Sequence, residues 1–370
     1  MSLQKVIVAP DSFKGSLSAG QAADIIAQEI KAHYPSCEAV KLPLADGGEG
    51  SIEAILAAMG GRLEAAQVLS PDSREITAHF GVTPQGLAIL EMAESSGLTK
   101  QIGLHPMTAN TFGFGQLILR ALELGLREFY LCIGGSATTD GGCGMAAALG
   151  VRFMSEAGVS FIPCGATLAR IASVDTSGID ARILASNFTV LCDVTNPLYG
   201  SSGAARVYAP QKGANPEEVK VLDNGLCHLS SVFRQNSGID YSELPGAGAA
   251  GGLGFGCMAL LGAQQISGIQ AVLDLYDFKK QLIDADLIIT GEGRLDDSSF
   301  MGKTLAGILQ NSGSVPVVSI CGVSSVKESL LEGYDLSVFE MSSGISTQES
   351  LENPERHLRR TVSKVLSSLA

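Results

Sequence analysis

Short apolar runs alternate with segments of helical periodicity near the start of the chain. Residues 5–9 predict a strand, and Ser18 with Gln21 forms the S-x-x-Q pattern of a helix capping box. A second predicted strand covers residues 38–44, and the helix that follows it ends at the glycine pair 60–61. The N-terminal region is therefore predicted to follow the order strand, helix, strand, helix.

The C-terminal end repeats this pattern. Apolar runs at 286–290, 315–320 and 335–340 predict buried strands. Asn353 is placed as a helix N-cap, with Pro354 at the first helical position. Strands that alternate with helices indicate a parallel, doubly wound sheet, so the fold class is α/β.

The middle of the chain predicts a less regular, mixed α/β region. Residues 74–80 and Leu87–Glu91 alternate like a hairpin, and a helix at about 109–124 leads to a strand at 128–133. We therefore predict two domains. Residues 1–61 and 285–370 form a discontinuous parallel-sheet domain, and residues 62–284 form an inserted α/β domain.

Composition narrows the class of protein. The chain has 370 residues, 45% of them hydrophobic, which excludes a disordered protein. The net charge is −13 and no basic cluster exceeds a pair, so nucleic acid and anionic membranes are disfavoured as partners. The apolar runs are strand-sized, and no signal peptide opens the sequence. We expect a cytoplasmic protein; its oligomeric state cannot be inferred from these features.

The eight cysteines and five histidines carry no metal-binding or protease pattern. The cysteines lack C-x-x-C spacing and mostly fall in apolar runs, which predicts buried free thiols. The histidines are scattered, which disfavours a zinc enzyme.

Glycine accounts for 44 of 370 residues, about 12% against a usual value of about 7%. It concentrates in loops that also carry acids or a cation, and most of these loops follow a predicted strand. They are PDSFKG (10–15), ADGGEG (45–50), GGSATTDGG (134–142) and TGEGRLD (290–296), together with CDVTNP (192–197), which carries an acid without a glycine. The carboxyl ends of parallel strands share one crevice, and backbone N–H groups of glycine-rich loops bind anions there. Carboxylates beside phosphates suggest a divalent cation, so magnesium with a nucleotide satisfies both features.

Three other motif matches are rejected. Residues 302–304 resemble the end of a Walker A loop, but Asp297 stands where that motif needs glycine. Residues 246–251 fit G-x-G-x-x-G without a convincing strand before them; they are a flexible clamp or a close-packing segment. Ser136 and Ser202 lie near glycines without a G-x-S-x-G elbow.

Four of the glycine-rich segments (8–15, 44–50, 133–142 and 290–296) resemble, in order and spacing, those of the bacterial type I glycerate kinase family. The resemblance covers essentially the whole chain. It implies ATP- and Mg²⁺-dependent phosphorylation of D-glycerate to 2-phosphoglycerate in the cytoplasm. It also implies a flavodoxin-like domain joined to a restriction-enzyme-like domain, with the active site in the cleft between them.

Phosphoryl transfer needs a held triphosphate, a metal, a positioned hydroxyl and often a base. Under this resemblance we assign Asp193 as the candidate base and Lys14 as a second catalytic residue, with Arg294 as its rival for substrate anions. The substrate-binding candidates are Asp11, Ser12, Asp46, Glu49 and Arg294. The phosphate-binding candidates are Gly134, Gly135, Ser136, Thr138, Gly141 and Gly291. The magnesium-binding candidates are Asp46 and Glu292.

Alternative interpretations remain open at this stage. Asp193 can be a turn residue, Lys14 a solvated loop charge, and Glu292 an ion-pair partner of Arg294. At the level of function, the alternatives are a nucleotide-dependent oxidoreductase, a non-catalytic sensor of hydroxy acids and a kinase for a related small acid. Sequence alone does not decide between 2- and 3-phosphorylation.

Overall fold

The computed structural model describes residues 3–344 and 347–369. Its strands are β1 (Lys5–Val8), β2 (Glu38–Lys41), β3 (Arg62–Leu69), β4 (Glu75–Val82), β5 (Leu87–Glu91), β6 (Glu128–Cys132), β7 (Arg152–Met154), β8 (Ser160–Phe161), β9 (Ser173–Asp175), β10 (Asn187–Leu191), β11 (Gln264–Ile266), β12 (Leu287–Leu295), β13 (Val317–Ser324) and β14 (Leu336–Glu340). Its α-helices are α1 (Ala19–His33), α2 (Ser51–Met59), α3 (Ala93–Ser96), α4 (Phe112–Glu123), α5 (Cys143–Ala148), α6 (Ala204–Tyr208), α7 (Pro216–Ser237), α8 (Ala249–Leu261), α9 (Gly268–Leu275), α10 (Phe278–Gln281), α11 (Thr304–Asn311), α12 (Thr347–Glu352) and α13 (Pro354–Ser368). None of the described helices combines the length and the apolar character needed to cross a membrane.

The chain divides into two compact units. The first comprises Met1–Asp46, Glu53–Gly60 and Ser267–Ala370, and the second comprises Gly47–Ile52 and Gly61–Ile266. The later boundary lies at residue 267 and not at the predicted 285, because α9 packs inside the first unit. A Cβ atom on Gly307 of α11 would lie 2.5 Å from Ile269 of α9, so the two helices are in close contact.

The first unit contains one parallel sheet with strand order β14-β13-β12-β1-β2. Numbered within the unit, this is the order 5-4-3-1-2 that defines flavodoxin-like folds. The predicted α/β class and the joining of both chain ends in one sheet are confirmed. Strand β1 pairs with β12 in register, with Val6 opposite Leu287.

The helices of the first unit follow the predicted signals. Ser18 and Gln21 form the capping box at the start of α1, and Pro354 occupies the first turn of α13 behind Asn353. Helices α1 and α13 pack together, and their buried side chains, which include Ile26 and Val362, join the strand residues in one core cluster.

Strand β12 extends further than the sequence predicts. The apolar run ends at residue 290, and we expected the glycine-containing segment 290–296 to be a loop. In the structure the strand continues to Leu295, paired with β13 through Arg294 and Val323. The two glycines allow this extension: a Cβ atom on Gly291 would lie 2.5 Å from the Ile320 carbonyl oxygen, and one on Gly293 would lie 3.2 Å from the Lys14 nitrogen.

The second unit contains a mixed sheet with order β11-β10-β6-β5-β4-β3. Strands β5, β6, β10 and β11 are parallel, while β3, β4 and β5 pair antiparallel. The predicted hairpin is confirmed as β4 and β5, but β3 was not predicted. A small antiparallel sheet, β8-β7-β9, completes the unit. The restriction-enzyme-like relation of this unit stays a prediction.

Three neighbouring parallel strands of the second unit end together. Cys132 at the end of β6 pairs with Glu91 at the end of β5 and with Leu191 at the end of β10. The segments after these strands therefore leave the sheet at the same edge. They include 134–142 and the loop that begins at Cys192.

The glycine-rich start of α8 is a close-packing segment. Ala250 has φ 54°, and the next two glycines also have positive φ, so regular helix begins after Gly252. A Cβ atom on Gly251 would lie 2.0 Å from the Thr138 carbonyl oxygen, and one on Gly252 would lie 2.8 Å from the Gly141 Cα. Of the two interpretations left open for 246–251, the geometry favours close packing.

Candidate active site

A cavity of about 390 Å³ lies in the first unit, beyond the carboxyl end of β1 and beside the last residues of β12. In a flavodoxin-like sheet these two strands flank the switch point at which ligands bind. The cavity therefore occupies the position that the topology favours. Its lining residues are Asp11, Ser12, Phe13, Lys14, Ser16, Asp46, Glu292, Gly293, Arg294, Asp296, Lys303, Thr304, Gly322, Val323, Met341, Ser350 and Leu351.

The segment after β1 is held against β12 by its backbone. Ala9 N donates to the Ile289 carbonyl at 2.8 Å, and Asp11 N donates to the Gly291 carbonyl at 2.8 Å. Phe13 and Leu17 then exchange two backbone hydrogen bonds, which closes a turn around Lys14. The Lys14 side chain is exposed at this turn. The fold thus places Asp11 on the cavity wall and Lys14 at its edge.

Asp11 and Glu292 both have raised pKa values. Burial and the neighbouring Asp46 charge raise the pKa of Asp11 to about 6, although Thr304 Oγ1 donates to its Oδ2 at 2.5 Å. Burial raises the pKa of Glu292 to about 7, against one hydrogen bond of 3.0 Å from Ser299 Oγ. Burial is the main cause of both shifts, and the hydrogen bonds that the two carboxyl groups accept offset it only in part.

Cationic side chains line the same cavity. Lys14 and Arg294 were predicted, and both are exposed. Lys303, which sequence reasoning missed, donates from Nζ to Ser298 Oγ at 2.8 Å. Lys303 and Thr304 belong to the segment 302–304 that we rejected as a Walker A loop, and they reach the cavity without forming that motif. The cavity therefore combines acids with cations, which suits a ligand that carries anionic groups and hydroxyls.

The motif 45–50 is divided between the two units. Asp46 lines the cavity of the first unit, while Glu49 belongs to the second unit. A Cβ atom on Gly135 would lie 3.4 Å from Glu49 Oε1. Gly134 N donates to the Gly47 carbonyl at 3.2 Å, which joins this segment to the start of 134–142. Asp46 and Glu49 were predicted together as substrate ligands, and the structure puts them in different surroundings.

The segment 134–142 is mostly buried and internally bonded. Gly135 is exposed and Ser136 is 7% exposed, whereas Thr138 is fully buried. Gly141 N donates to the Gly251 carbonyl at 3.1 Å. The backbone N–H of Gly141 is thus occupied within the unit. Gly134, Gly135 and Ser136 are the predicted phosphate ligands that lie nearest to solvent.

Asp140 anchors the end of this segment through hydrogen bonds. It is fully buried, and its Oδ2 accepts from Thr111 N, Thr111 Oγ1 and Gly144 N at 2.8, 2.8 and 3.1 Å. Its Oδ1 accepts from Gly142 N at 3.2 Å. Burial raises its pKa in spite of these four donors. Asp140 joins the N-terminal ends of α4 and α5, which is a structural role.

Asp193 follows a strand end as predicted, whereas Gly291, in the other unit, lies inside a strand. Asp193 is partly buried and follows β10, next to the strand that leads into 134–142. Gly291 lies inside β12 and is buried; its Cα packs near Phe13 and the Ile320 carbonyl. Gly291 therefore has a packing reason to be glycine, and its predicted phosphate contact stays untested.

Two further buried charged residues were missed by the sequence analysis. Glu91 Oε1 accepts from Ile52 N at 2.7 Å, and burial raises the pKa of Glu91 to about 7. Lys212 is 1% exposed and donates to Ser136 Oγ. An acid that ends an apolar strand was the available signal for Glu91. Lys212 lies 76 residues from Ser136 and carried no local signal.

A flavodoxin-like unit joined to a second α/β unit is the arrangement that the resemblance of the loop motifs implied. The family model for the glycerate kinase family matches residues 6–370, and the chain belongs to that family. The protein is therefore an enzyme of the kinase class, and the resemblance drawn from the loop motifs is confirmed.

Individual relatives agree over nearly the full chain. A glycerate kinase of Bacillus subtilis (strain 168) is 38% identical over 99% of this chain and 97% of its own length. A glycerate 2-kinase of Escherichia coli (strain K12) is 37% identical over 99% and 98%. A crystal structure from Salmonella typhimurium LT2, described as a candidate glycerate kinase 2, has a TM-score of 0.82, with 37% identity over 99% of this chain and 98% of that one.

Proposed function

We propose that this protein transfers the γ-phosphoryl group of ATP to a hydroxyl of D-glycerate, giving 2-phosphoglycerate and ADP with the help of Mg²⁺. Membership of the glycerate kinase family supports the reaction class. The observation that carries the proposal is the cavity of the first unit, where carboxyl groups with pKa values near neutrality lie beside exposed cations.

Glycerate is small, with one carboxylate and two hydroxyls. We assign its carboxylate to Arg294 and Lys14, because both cations are exposed at the cavity and can pair with an anion. Asp11, Ser12 and Asp46 are assigned to its hydroxyls, since carboxylates accept hydrogen bonds from hydroxyl groups. A volume of about 390 Å³ suits a ligand of this size together with phosphate oxygens.

The carboxylates of the cavity fit a magnesium ion. Asp46 raises the pKa of Asp11, and Asp11 raises that of Glu292, so a divalent cation would relieve the repulsion among them. The described residues contain no group of three metal-binding side chains. Mg²⁺ is commonly held by one or two carboxylates together with phosphates and water, and Asp46 and Glu292 remain our candidates. When bound, the ion neutralises negative charge on the phosphate oxygens.

The phosphates of ATP are assigned to Gly134, Gly135 and Ser136, with Thr138 and Gly141 supporting the segment from within. The exposure of the residues supports this separation into phosphate-contacting and supporting residues, because Gly135 is exposed while Thr138 is fully buried. Gly291 keeps its predicted association with the phosphates as a proposal.

The hydroxyl proton needs an acceptor as the glycerate oxygen attacks the γ-phosphorus and the bond to ADP breaks. Asp193 is our candidate base from the sequence. Glu292 is the alternative if Asp46 holds the metal ion without it, because a pKa of about 7 in the metal-free protein suits proton transfer at neutral pH. The two candidates are separable by substitution.

The test is ATP turnover with D-glycerate, L-glycerate, tartronate or no acceptor, with and without Mg²⁺. We expect turnover that requires both D-glycerate and Mg²⁺, and phosphorus NMR should identify 2-phosphoglycerate. A 3-phosphate product would overturn the proposed regiochemistry, and turnover with tartronate alone would assign the enzyme to a related acid.

Two variants decide the base. If Asp193 is the base, Asp193→Asn should lower kcat by about a hundredfold or more while ATP binding is retained, since general bases contribute at least this much. Glu292→Gln tests the alternative in the same assay. Unchanged kcat in Asp193→Asn with a collapse in Glu292→Gln assigns the proton to Glu292.

A further inference from the structure

A buried lysine lies directly beneath the exposed end of the segment 134–142. Lys212 ends the single turn Pro210–Lys212, and only 1% of its surface is exposed. Its Nζ donates to Ser136 Oγ at 2.8 Å and to the Thr138 carbonyl at 2.5 Å. The proposed reaction assigns no role to this lysine.

The charge of Lys212 is poorly compensated within the protein. Burial of an ammonium group is costly unless a counter-charge pairs with it, and burial lowers the pKa of Lys212 to about 7. Asp140 is the charged group whose field acts on it in the opposite direction. The Asp140 oxygens accept from Thr111, Gly142 and Gly144, and no ion pair joins Asp140 to Lys212 in the part of the chain that the structure describes. A bound anion would supply the missing compensation.

The hydrogen bond to Ser136 also sets the direction of the serine hydroxyl. A protonated lysine has only donors, so Ser136 Oγ must accept from it. The hydrogen of the Ser136 hydroxyl then points to another acceptor. Ser136 is 7% exposed and follows the exposed Gly135, so its hydrogen is available at the outer end of the segment. Such a donor selects ligands rich in acceptor oxygens, of which phosphates are the strongest.

Two other hydroxyls strengthen this argument. Thr138 Oγ1 and Thr139 Oγ1 are buried and have no hydrogen-bond partner among the described residues. They lie next to the carbonyl that Lys212 contacts. The region thus holds a lysine without an ion-pair partner and two hydroxyls without hydrogen-bond partners among the described residues. Buried polar groups are nearly always paired in native proteins.

We propose that Lys212 is a positioning residue for the ATP phosphates: it fixes Ser136 as a donor to a phosphate oxygen, and its charge stabilises the bound triphosphate. This inference rests on the proposed function, in which ATP binds at 134–136. It adds a named residue and a direction for the Ser136 hydroxyl. A purely structural lysine would instead tie the turn 210–212 to the segment without responding to nucleotide.

Proton uptake separates these two roles. At pH 8 the free enzyme carries Lys212 largely deprotonated, because its pKa is about 7. A bound polyanion favours the charged form and raises that pKa, so binding must draw a proton from solution. Calorimetry of MgATP binding in two buffers with different ionisation enthalpies measures this uptake. We expect uptake by the wild type at pH 8 and clearly less by Lys212→Met.

Affinity gives the second measurement. Lys212→Met should raise the Kd of MgATP at pH 6.5 by about tenfold or more, the effect of losing a hydrogen bond to a charged group. The wild-type affinity should fall between pH 6.5 and 8 relative to that of the variant. Lys220→Met is the matched control, since Lys220 is exposed on α7 and pairs with Glu217. It should match the wild type in both affinity and proton uptake.

Thermal unfolding checks whether Lys212→Met folds. Ser136→Ala tests the same contact without altering the buried lysine, so the proposal remains testable if Lys212→Met is unstable. Ser136→Ala should weaken MgATP about tenfold and leave the KM for glycerate nearly unchanged. The double variant should lose less than the sum of the two single losses, because Lys212 acts partly through Ser136.

The outcomes also separate this inference from the proposed function. If the wild type binds MgATP and Lys212→Met shows the same Kd and the same proton uptake, the role of Lys212 is overturned. The proposed kinase activity is then unaffected. A wild type that binds no MgATP and shows no glycerate-dependent turnover overturns both.

Discussion

Two carboxylates, Asp140 in the second unit and Glu292 in the first, differ in the number of hydrogen bonds that they accept. Asp140 in the second unit accepts four hydrogen bonds from Thr111, Gly142 and Gly144. Glu292 in the first unit accepts one, from Ser299, and repulsion from Asp11 adds to the effect of burial on its pKa. Both acids lie in glycine-containing segments that follow an apolar run, so their sequence patterns are alike. They differ in the number of donors that the fold supplies.

We use this difference to distinguish structural acids from candidate functional acids. A carboxylate whose lone pairs are filled by internal donors has no capacity left for a ligand, and its removal affects folding. A carboxyl group whose pKa is raised toward 7 by burial and by neighbouring negative charges can still bind protons, metal ions and hydroxyls. The donor count is therefore a better guide to function here than the glycine and acid content of the loop.

The largest effect should follow from Asp140→Asn. The amide would place N–H groups against backbone and hydroxyl donors, so the free energy of unfolding should fall by about 3 kcal/mol or more. Urea denaturation measures the change. Asp175→Asn, at an exposed ion pair with Arg152, is the control and should leave the midpoint unchanged. An equally small shift for both variants would contradict the structural role of Asp140.

Asp11→Asn should show the opposite behaviour. Activity should fall by about a hundredfold, about 2.7 kcal/mol in the activation free energy, because a cavity carboxylate is lost. Stability should hold or rise, since the repulsion between Asp11 and Asp46 disappears. Steady-state kinetics and thermal unfolding give the two values. Asp24→Asn, a surface acid that pairs with Lys41, should change neither one. Retained activity in Asp11→Asn would remove Asp11 from the site.

The smallest effect should appear in the pH dependence of stability, and it tests an intermediate case. Glu91 has a backbone donor from Ile52, yet burial raises its pKa from 4.5 to about 7. Between these values the folded protein holds a proton that the unfolded chain has released. This group therefore stabilises the protein fully below about pH 4.5, and its contribution falls by about 1 kcal/mol per pH unit as pH rises toward 7.

Glu91→Gln should remove that slope, since glutamine does not titrate but still accepts from Ile52 N. Denaturation of the wild type and the variant at pH 5, 6 and 7 measures the difference. Parallel profiles would show that Glu91 titrates normally.

Much of the fold could be predicted from patterns of residues that are close in sequence. The capping box at Ser18, the proline that opens α13 and the strand-like runs at both chain ends all depend on residues close in sequence. Four of the five candidate segments, all except 290–296, follow the end of a strand as expected. The candidates Asp11, Asp46, Glu292, Lys14 and Arg294 line one cavity.

The rest depended on contacts between distant segments. Lys303 lies just before α11, in the segment 302–304 that was rejected as a Walker A loop, and it lines the cavity through the fold. Lys212 reaches Ser136 from a separate turn that carries no motif. The burial of Thr138 and Gly141 depends on α8 packing against them, which no pattern within 134–142 reveals. The extension of β12 depends on pairing with β13, which overrides the turn preference of its glycines.

The discontinuous first unit has a consequence for biosynthesis. Strand β1 hydrogen-bonds to β12, whose residues emerge from the ribosome some 280 positions later. Most of the second unit, Gly61–Ile266, is continuous and can fold while the chain is still growing. Until β12 is synthesised, the edge of β1 that pairs with it remains unpaired. The cavity lined by both Asp11 and Glu292 therefore forms only after β12 has been synthesised.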